Sequence, residues 1–382
     1  MSDQRCKSDK KLSSNKRKRP REKDCDETAP CSEGLFSSIF GSDSNSSDLF
    51  STSKAKEWEQ RSNDLREKNE IFHGEKMSRN EIISARRKVV ARSAALVNSV
   101  TVIIPKPEEL RLFTILCEDV FRKKGIVVMK HGQSTILPKE TLQALEKRAS
   151  SIEREICSRL DKKGIVWEVK SDDVLDQKSL EIEKQHSFHY HEVASRCLGR
   201  LDIRHGMDQK PFSQKDVIKN QFLMPVIEAV LGKNCKLVYS GLILSFKNSA
   251  DQPWHQDGDK LFQKNEFPDG NEIHLPPYAL NVFIPLHDVE LEVGPTEFCV
   301  GSHITSESQD ALKTLLYDSY ENDKVINPLL DFGDALIYDY RICHRGTRNL
   351  TEMNKTRSML YLMYAKPWFH EHLNFGQRRL FD

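Results

Sequence analysis

Apolar residues in the second half of the chain gather into short runs bounded by turn-forming residues, the pattern of strands rather than of long helices. Residues 237–246 (Leu-Val-Tyr-Ser-Gly-Leu-Ile-Leu-Ser-Phe) end at Lys247-Asn248-Ser249-Ala250-Asp251, and 279–286 end at His287-Asp288. Residues 333–338 and 358–365 form two more such runs, and 125–129 an earlier one. Short apolar strands separated by turn chemistry fit an all-β barrel of the cupin or jelly-roll kind. Upstream the period lengthens. A helix is expected to open at Pro107-Glu108-Glu109-Leu110. A second runs from Pro138 with Leu142, Leu145, Ile152, Ile156 and Leu160 on one face, and a third spans 214–231. The expected class is mainly β with flanking helices.

Residues 1–98 have a different character. Residues 7–23 carry nine Lys or Arg against two acidic groups, centred on Lys16-Arg17-Lys18-Arg19-Pro20-Arg21. Such a run reads as a nuclear-import signal, with an import receptor as partner, or as a nucleic-acid-contacting tail. The Ser-rich residues 32–53 are too polar to pack, and 54–98 are charged and helix-permissive. A chain of 382 residues has room for one large domain and an extension. The expected division is therefore a disordered or helix-permissive basic and Ser-rich extension over 1–98 and a folded domain over 99–382.

Nine scattered cysteines, odd in number and without Cys-x-x-Cys, indicate a reducing compartment. No apolar stretch approaches transmembrane length, and the N-terminus lacks the apolar core of a secretory signal. The ending Arg379-Leu380-Phe381-Asp382 is not of the peroxisomal Ser-Lys-Leu type. The expected location is nucleus or cytoplasm.

The candidate chemistry lies in His255-Gln256-Asp257 and the distant His344. Alternate residues of an extended segment point the same way, so His255 and Asp257 can reach one ion while Gln256 faces elsewhere. Two imidazoles and a carboxylate can occupy one face of an octahedral metal, as in non-haem Fe(II) oxygenases. Alone, His-x-Asp is more often a surface accident. His186, His189 and His191 offer donors that zinc accepts, with no cysteine or fourth ligand at a zinc-finger interval.

Three strings make the reading specific. Trp254-His255-Gln256-Asp257, Val293-Gly294-Pro295-Thr296-Glu297-Phe298, and His344-Arg345-Gly346-Thr347-Arg348-Asn349 followed by Arg357 and Tyr364-Ala365-Lys366-Pro367-Trp368 resemble the phytanoyl-CoA dioxygenase family, in order and approximate spacing, over roughly 105–382. The resemblance implies a double-stranded β-helix core, Fe(II), 2-oxoglutarate and O2. It makes His255, Asp257 and His344 the catalytic iron ligands and Arg357 the partner of the distal 2-oxoglutarate carboxylate, with Arg348 and Arg345 as rivals.

Asn281, polar within an apolar strand, is expected to bond 2-oxoglutarate or a group behind the iron ligands, or to be satisfied by backbone in the core. Trp254 is expected to wall the site or to pack in the core. Glu297 would orient a ligand or fix its loop. At 346, where some relatives carry a hydroxyl that helps hold 2-oxoglutarate, this chain has Gly, so a second anchor is not identified. Arg200 and Arg204 read either as groups facing an anionic substrate or as surface charge. The expected function is hydroxylation of a small-molecule or nuclear substrate with release of succinate and CO2. A catalytically silent nuclear binding protein that retains the fold is the alternative.

Overall fold

Among the described residues, the chain forms eleven strands: β1 (Thr101–Ile103), β2 (Ile126–Lys130), β3 (Val193–Cys197), β4 (Arg200–Ile203), β5 (Lys236–Ser245), β6 (Ala279–Pro285), β7 (Thr296–Cys299), β8 (Val325–Ile326), β9 (Ala335–Asp339), β10 (His344–Gly346) and β11 (Arg357–Ala365). The structure, a computed structural model, describes residues 78–168, 187–258, 275–304, 322–353, 355–370 and 375–382. The basic run Lys16 to Arg21 and the Ser-rich stretch lie outside them. Eight strands form one sheet in the order β1-β2-β9-β6-β11-β5-β4-β3, and three form a second, β10-β7-β8. This is a jelly-roll core with helices at its side. The expected runs 237–246, 279–286, 333–338 and 358–365 correspond to β5, β6, β9 and β11.

Alternation along these strands divides the large sheet into two faces. Leu242 and Leu244 of β5, Leu280, Val282 and Ile284 of β6, Ala335 and Ile337 of β9, and Leu360 and Leu362 of β11 are buried in the main core with the helices. Their neighbours Ile243, Phe283, Tyr338, Met359 and Tyr361 point the other way and line a cavity. A one-residue slip would exchange the two sets, so the apolar outer face fixes which residues see the cavity.

Among the described residues, five α-helices accompany the sheets: α1 (Arg79–Ser99), α2 (Leu110–Lys124), α3 (Lys139–Lys162), α4 (Lys215–Ile218) and α5 (Leu223–Leu231). Helix α3 buries Leu142, Leu145, Ala149, Ile152, Ile156 and Leu160, the face expected from its spacing. The single helix expected over 214–231 is instead α4 and α5. Asn220 separates them, its Oδ1 accepting from the Phe222 and Leu223 amides and its Nδ2 donating to the Ile136 carbonyl. Among the described residues no helix is long and apolar enough to cross a membrane.

Helix α1 falls almost wholly within the expected helix-permissive extension and packs against the rest of the described fold. Ser78 and Glu81 form a reciprocal capping box at the start of α1. The helix then buries Ile82, Ile83, Arg86 and Val89. Arg86 donates to the carbonyls of Leu291 at 2.7 Å and Arg348 at 2.8 Å, on the loops beside β7 and β10. A charged, weakly amphipathic helix gives little hydrophobic periodicity, and its attachment through a buried arginine leaves no signature in the apolar pattern.

Candidate active site

His255 and His344 are held opposite one another by a pair of backbone bonds, His255 N to His344 O at 3.0 Å and His344 N to His255 O at 2.9 Å. Their ring centroids are 4.4 Å apart. The Nδ1 atoms lie 2.9 Å from the Pro253 carbonyl and 3.1 Å from the Ile342 carbonyl. A carbonyl only accepts, so each Nδ1 carries the proton and each Nε2 turns its lone pair inward. Those atoms stand 3.8 Å from Asp257 Oδ1 and 3.7 Å from Asp257 Oδ2, respectively. One donor atom from each of the three residues lies within 4.8 Å of the others. Burial and the neighbouring His344 push His255 down to about 4, with Asp257 opposing, which keeps it in the neutral form that binds a metal.

Asp257 is itself oriented. Its Oδ2 accepts from Asn281 Nδ2 at 2.8 Å and from the Tyr338 hydroxyl at 3.1 Å. Phe298 stacks on His344 from the side, with centroids 5.7 Å apart. Imidazoles backed by carbonyls and a carboxylate backed by donors are the supports that hold metal ligands in register. The donor set suits a first-row divalent metal with open positions, Fe(II) included.

The cavity that these ligands face has a volume of about 330 Å³. Arg357, the first residue of β11, lines it. Its Nη2 donates to Ser245 Oγ at 2.9 Å and its Nη1 to the Gly294 carbonyl, while its buried Nε has no partner. Among the described residues no carboxylate lies within ion-pair distance of it. Burial first, then the nearby Arg200 and Arg86, holds its pKa well below the usual arginine range. A buried guanidinium without a counter-charge, open to a cavity, fits a carboxylate ligand. The rivals are engaged elsewhere: Arg345 Nε donates to Glu297 at 2.6 Å, and Arg348 lies near Asp251.

Arg200 is wholly buried, so it is not surface charge. It shares Ser245 Oγ with Arg357, donating at 2.5 Å, and also reaches the Ala250 and Thr347 carbonyls. Its position explains Gly346. A Cβ there would come within 2.5 Å of both Arg200 Nη1 and Gln252 Oε1.

Other expected residues take different places. Asn281 lines the cavity and bonds Asp257. Trp254 does not line the cavity. It packs with Val89, Cys299, Val325 and Cys343, because the alternation that turns His255 inward turns its neighbour outward. Glu297 lies in β7 and not on a loop, buried against its cross-strand partner Arg345 of β10 and against Asn327. Among the described residues, His189 and His191 join no metal-binding group, and His186 lies outside them. A second His–Asp group, His131 with Asp331 and Asp334, holds Lys130 Nζ 2.6 Å from each carboxylate, so a side-chain cation already fills it. The sequence reading missed Tyr338, Arg196, Asp202 and Tyr361. The signal for Tyr338 was present, since it shares the inward phase of β9 with Leu336.

The family model described as phytanoyl-CoA dioxygenase (PhyH) matches residues 121–358. Similar solved structures include AviO1 from Streptomyces viridochromogenes Tue57, at 18% identity, covering 67% of this chain and 96% of that one, with a TM-score of 0.42. HygX from Streptomyces hygroscopicus, solved with nickel, 2-oxoglutarate and hygromycin B, gives 16% identity, 68% and 94% coverage, and a TM-score of 0.43. EctD from S. alaskensis, solved in its apoform, gives 18%, 69% and 83%, and 0.42. The family match takes in His255, Asp257, His344 and Arg357 and extends from α2 to the start of β11. The chain belongs to the phytanoyl-CoA dioxygenase family and is a 2-oxoglutarate-dependent dioxygenase using Fe(II).

Proposed function

We propose that the protein hydroxylates a small organic substrate, converting C–H to C–OH while 2-oxoglutarate and O2 become succinate and CO2. In this reading His255 Nε2, His344 Nε2 and an oxygen of Asp257 hold the Fe(II), and Arg357 receives the distal carboxylate of 2-oxoglutarate. Bound Fe(II) and 2-oxoglutarate supply the oxidising power. The chain's own residues position and enclose. The Pro253 and Ile342 carbonyls keep both imidazoles in one tautomer, Asn281 and Tyr338 hold Asp257, and Phe298, Phe283 and Met359 keep the surroundings apolar.

The observation that carries this reading is the joint placement of three metal donors within 4.8 Å of one another and an uncompensated, buried arginine on the same cavity. A scaffold protein has no need of either. We further propose that Lys16 to Arg21 directs the protein to the nucleus. The deciding experiment is succinate formation by the full chain with Fe(II) and 2-oxoglutarate across a panel of metabolites, nucleobases and peptides. Stimulation by a panel member, lost in His255→Ala, Asp257→Ala and His344→Ala, supports the reading. Turnover retained in any of these variants would remove that residue from the ligand set.

A further inference from the structure

Besides Arg357, a second guanidinium lines the cavity, and it has no part in holding the metal or 2-oxoglutarate. Arg196 lines the cavity and stands at an irregularity in β3, where the pairing with β4 skips from Ser195 to Cys197. A bulge adds an unpaired residue and re-aims its side chain. Arg196 Nε and Nη2 both donate to Asp202 Oδ2, at 3.0 and 2.5 Å, and the other oxygen of Asp202 accepts from the Tyr361 hydroxyl at 2.8 Å. One edge of the guanidinium is thus fixed by a carboxylate whose other oxygen is bonded as well. Nη1 has no partner among the described residues.

Another cation, Arg204, stands behind the lining residue Tyr239. Arg204 lies between the rings of Tyr239 and Phe375, 4.0 and 3.9 Å from their centroids, and Arg196 lies 5.3 Å from the same Phe375 ring. No carboxylate stands within ion-pair distance of Arg204 among the described residues. Of the described residues that line the cavity, Asp202 and Asp257 are the acidic ones. The first is bonded to Arg196 and Tyr361, and the second belongs with the metal. A cationic substrate would meet the Arg196 guanidinium and no carboxylate free of a partner. An anionic one would meet a planar donor oriented before it arrives.

We infer that the primary substrate carries a carboxylate or phosphate group and that Arg196 receives it. The inference rests on the proposed dioxygenase function, because it requires the Arg357 end of the cavity to be taken by 2-oxoglutarate. Asp202 and Tyr361 act as positioning residues for Arg196. The cavity is small, near the lower end of the roughly 300–1,000 Å³ of small-molecule sites, so a compact anion suits it better than a polymer.

The test is calorimetric titration of the full chain, anaerobic, with Fe(II) and saturating 2-oxoglutarate, using benzoate, phenyl phosphate and benzamide as probes. At least one anion should bind about tenfold more tightly than neutral benzamide, and which of the two does so identifies the group. Arg196→Lys keeps the charge but loses the fork and should weaken that binding about fivefold or more. Arg196→Gln with Asp202→Asn removes both charges together, which guards against leaving Asp202 buried and unpaired. It should abolish the preference for the anion while leaving 2-oxoglutarate affinity unchanged. Equal binding of benzamide, no binding of either anion, or an anion preference that both variants retain would overturn the inference. A wild-type protein that binds no 2-oxoglutarate overturns the proposed function itself, and the inference with it.

Discussion

The side-chain amide of Asn281 donates to Asp257 Oδ2 at 2.8 Å, from the middle of β6 to a carboxylate that no regular strand holds. In the proposed site, the bond makes a polar residue of an apolar strand the support of Asp257. Asn281→Ala should weaken Fe(II) binding by about 10–100-fold, the usual consequence of removing such a partner. Tyr338→Phe should cost less, because the Asn281 bond remains. Metal titration of the two variants checks this. Wild-type affinity in Asn281→Ala would mean that Asp257 is oriented by its backbone alone.

Arg357→Lys retains a positive charge and discards the planar fork. If a charge-assisted bond to 2-oxoglutarate is lost, the penalty is about 1.5–3 kcal/mol, or roughly 10–150-fold in apparent KM. Fe(II) affinity should stay where it was. Steady-state kinetics in 2-oxoglutarate make the measurement, and an unchanged KM would move the role to another arginine.

His287 gives a pH dependence whose sign is fixed by its bonds. Its Nε2 accepts from the Ser358 amide at 2.8 Å, at the start of β11, and its Nδ1 lies 2.9 Å from the Asp288 carbonyl. Burial lowers its pKa below the ordinary histidine value. In the unfolded chain it takes up a proton as pH falls below about 6.5, while in the folded chain it does so only at lower pH. The unfolded state therefore binds more protons in that interval, and stability declines as pH drops from about 6.5 toward the folded pKa. Thermal melts from pH 7.5 to 5 should show the decline, and His287→Gln should flatten it. Parallel curves for the two proteins would assign the effect elsewhere.

The position of α1 separates two truncations. Removing residues 1–77 leaves Arg86 and its bonds to the Leu291 and Arg348 carbonyls, so the folded unit should melt as the full chain does. Removing 1–98 takes away Arg86 and the buried Ile82, Ile83 and Val89, and strips donors from two carbonyls. Losses of that kind run to several kcal/mol, so a Tm lower by about 10 °C or more is expected. If Lys16 to Arg21 is an import signal, both truncations should also shift the protein from nucleus to cytoplasm. Unchanged localisation would end that reading.

Legibility in the sequence followed the kind of force involved. Strands β5, β6, β9 and β11 were readable because burial on a sheet leaves runs and alternation that any apolar side chain can supply. His255, Asp257 and His344 stood out because a metal accepts few donor types at few spacings, and the fold brings these three side chains together. The supports of the site left weaker traces. Arg196 acts through a bulge, Arg86 through two carbonyls remote in sequence, and Arg200 through the space at Gly346. None of these is periodic, and each is defined by a partner that only the folded chain brings near. Asn220 ended α4 by the same means, a side chain bonding the backbone where the apolar pattern would have carried a helix on.

The paired backbone bonds between His255 and His344 bear on the order of events during folding. The two residues are far apart in the chain, and a contact of that separation forms only after the loop-closure entropy has been met. The bonds belong to the bridge that joins the segment after β5 to β10, so His255 and His344 are brought together only where those two segments meet. A metal that binds this arrangement and not the open chain draws the population toward the closed barrel. Fe(II) would then act as a late fastener as well as a reagent, and metal uptake during refolding would time the moment of closure.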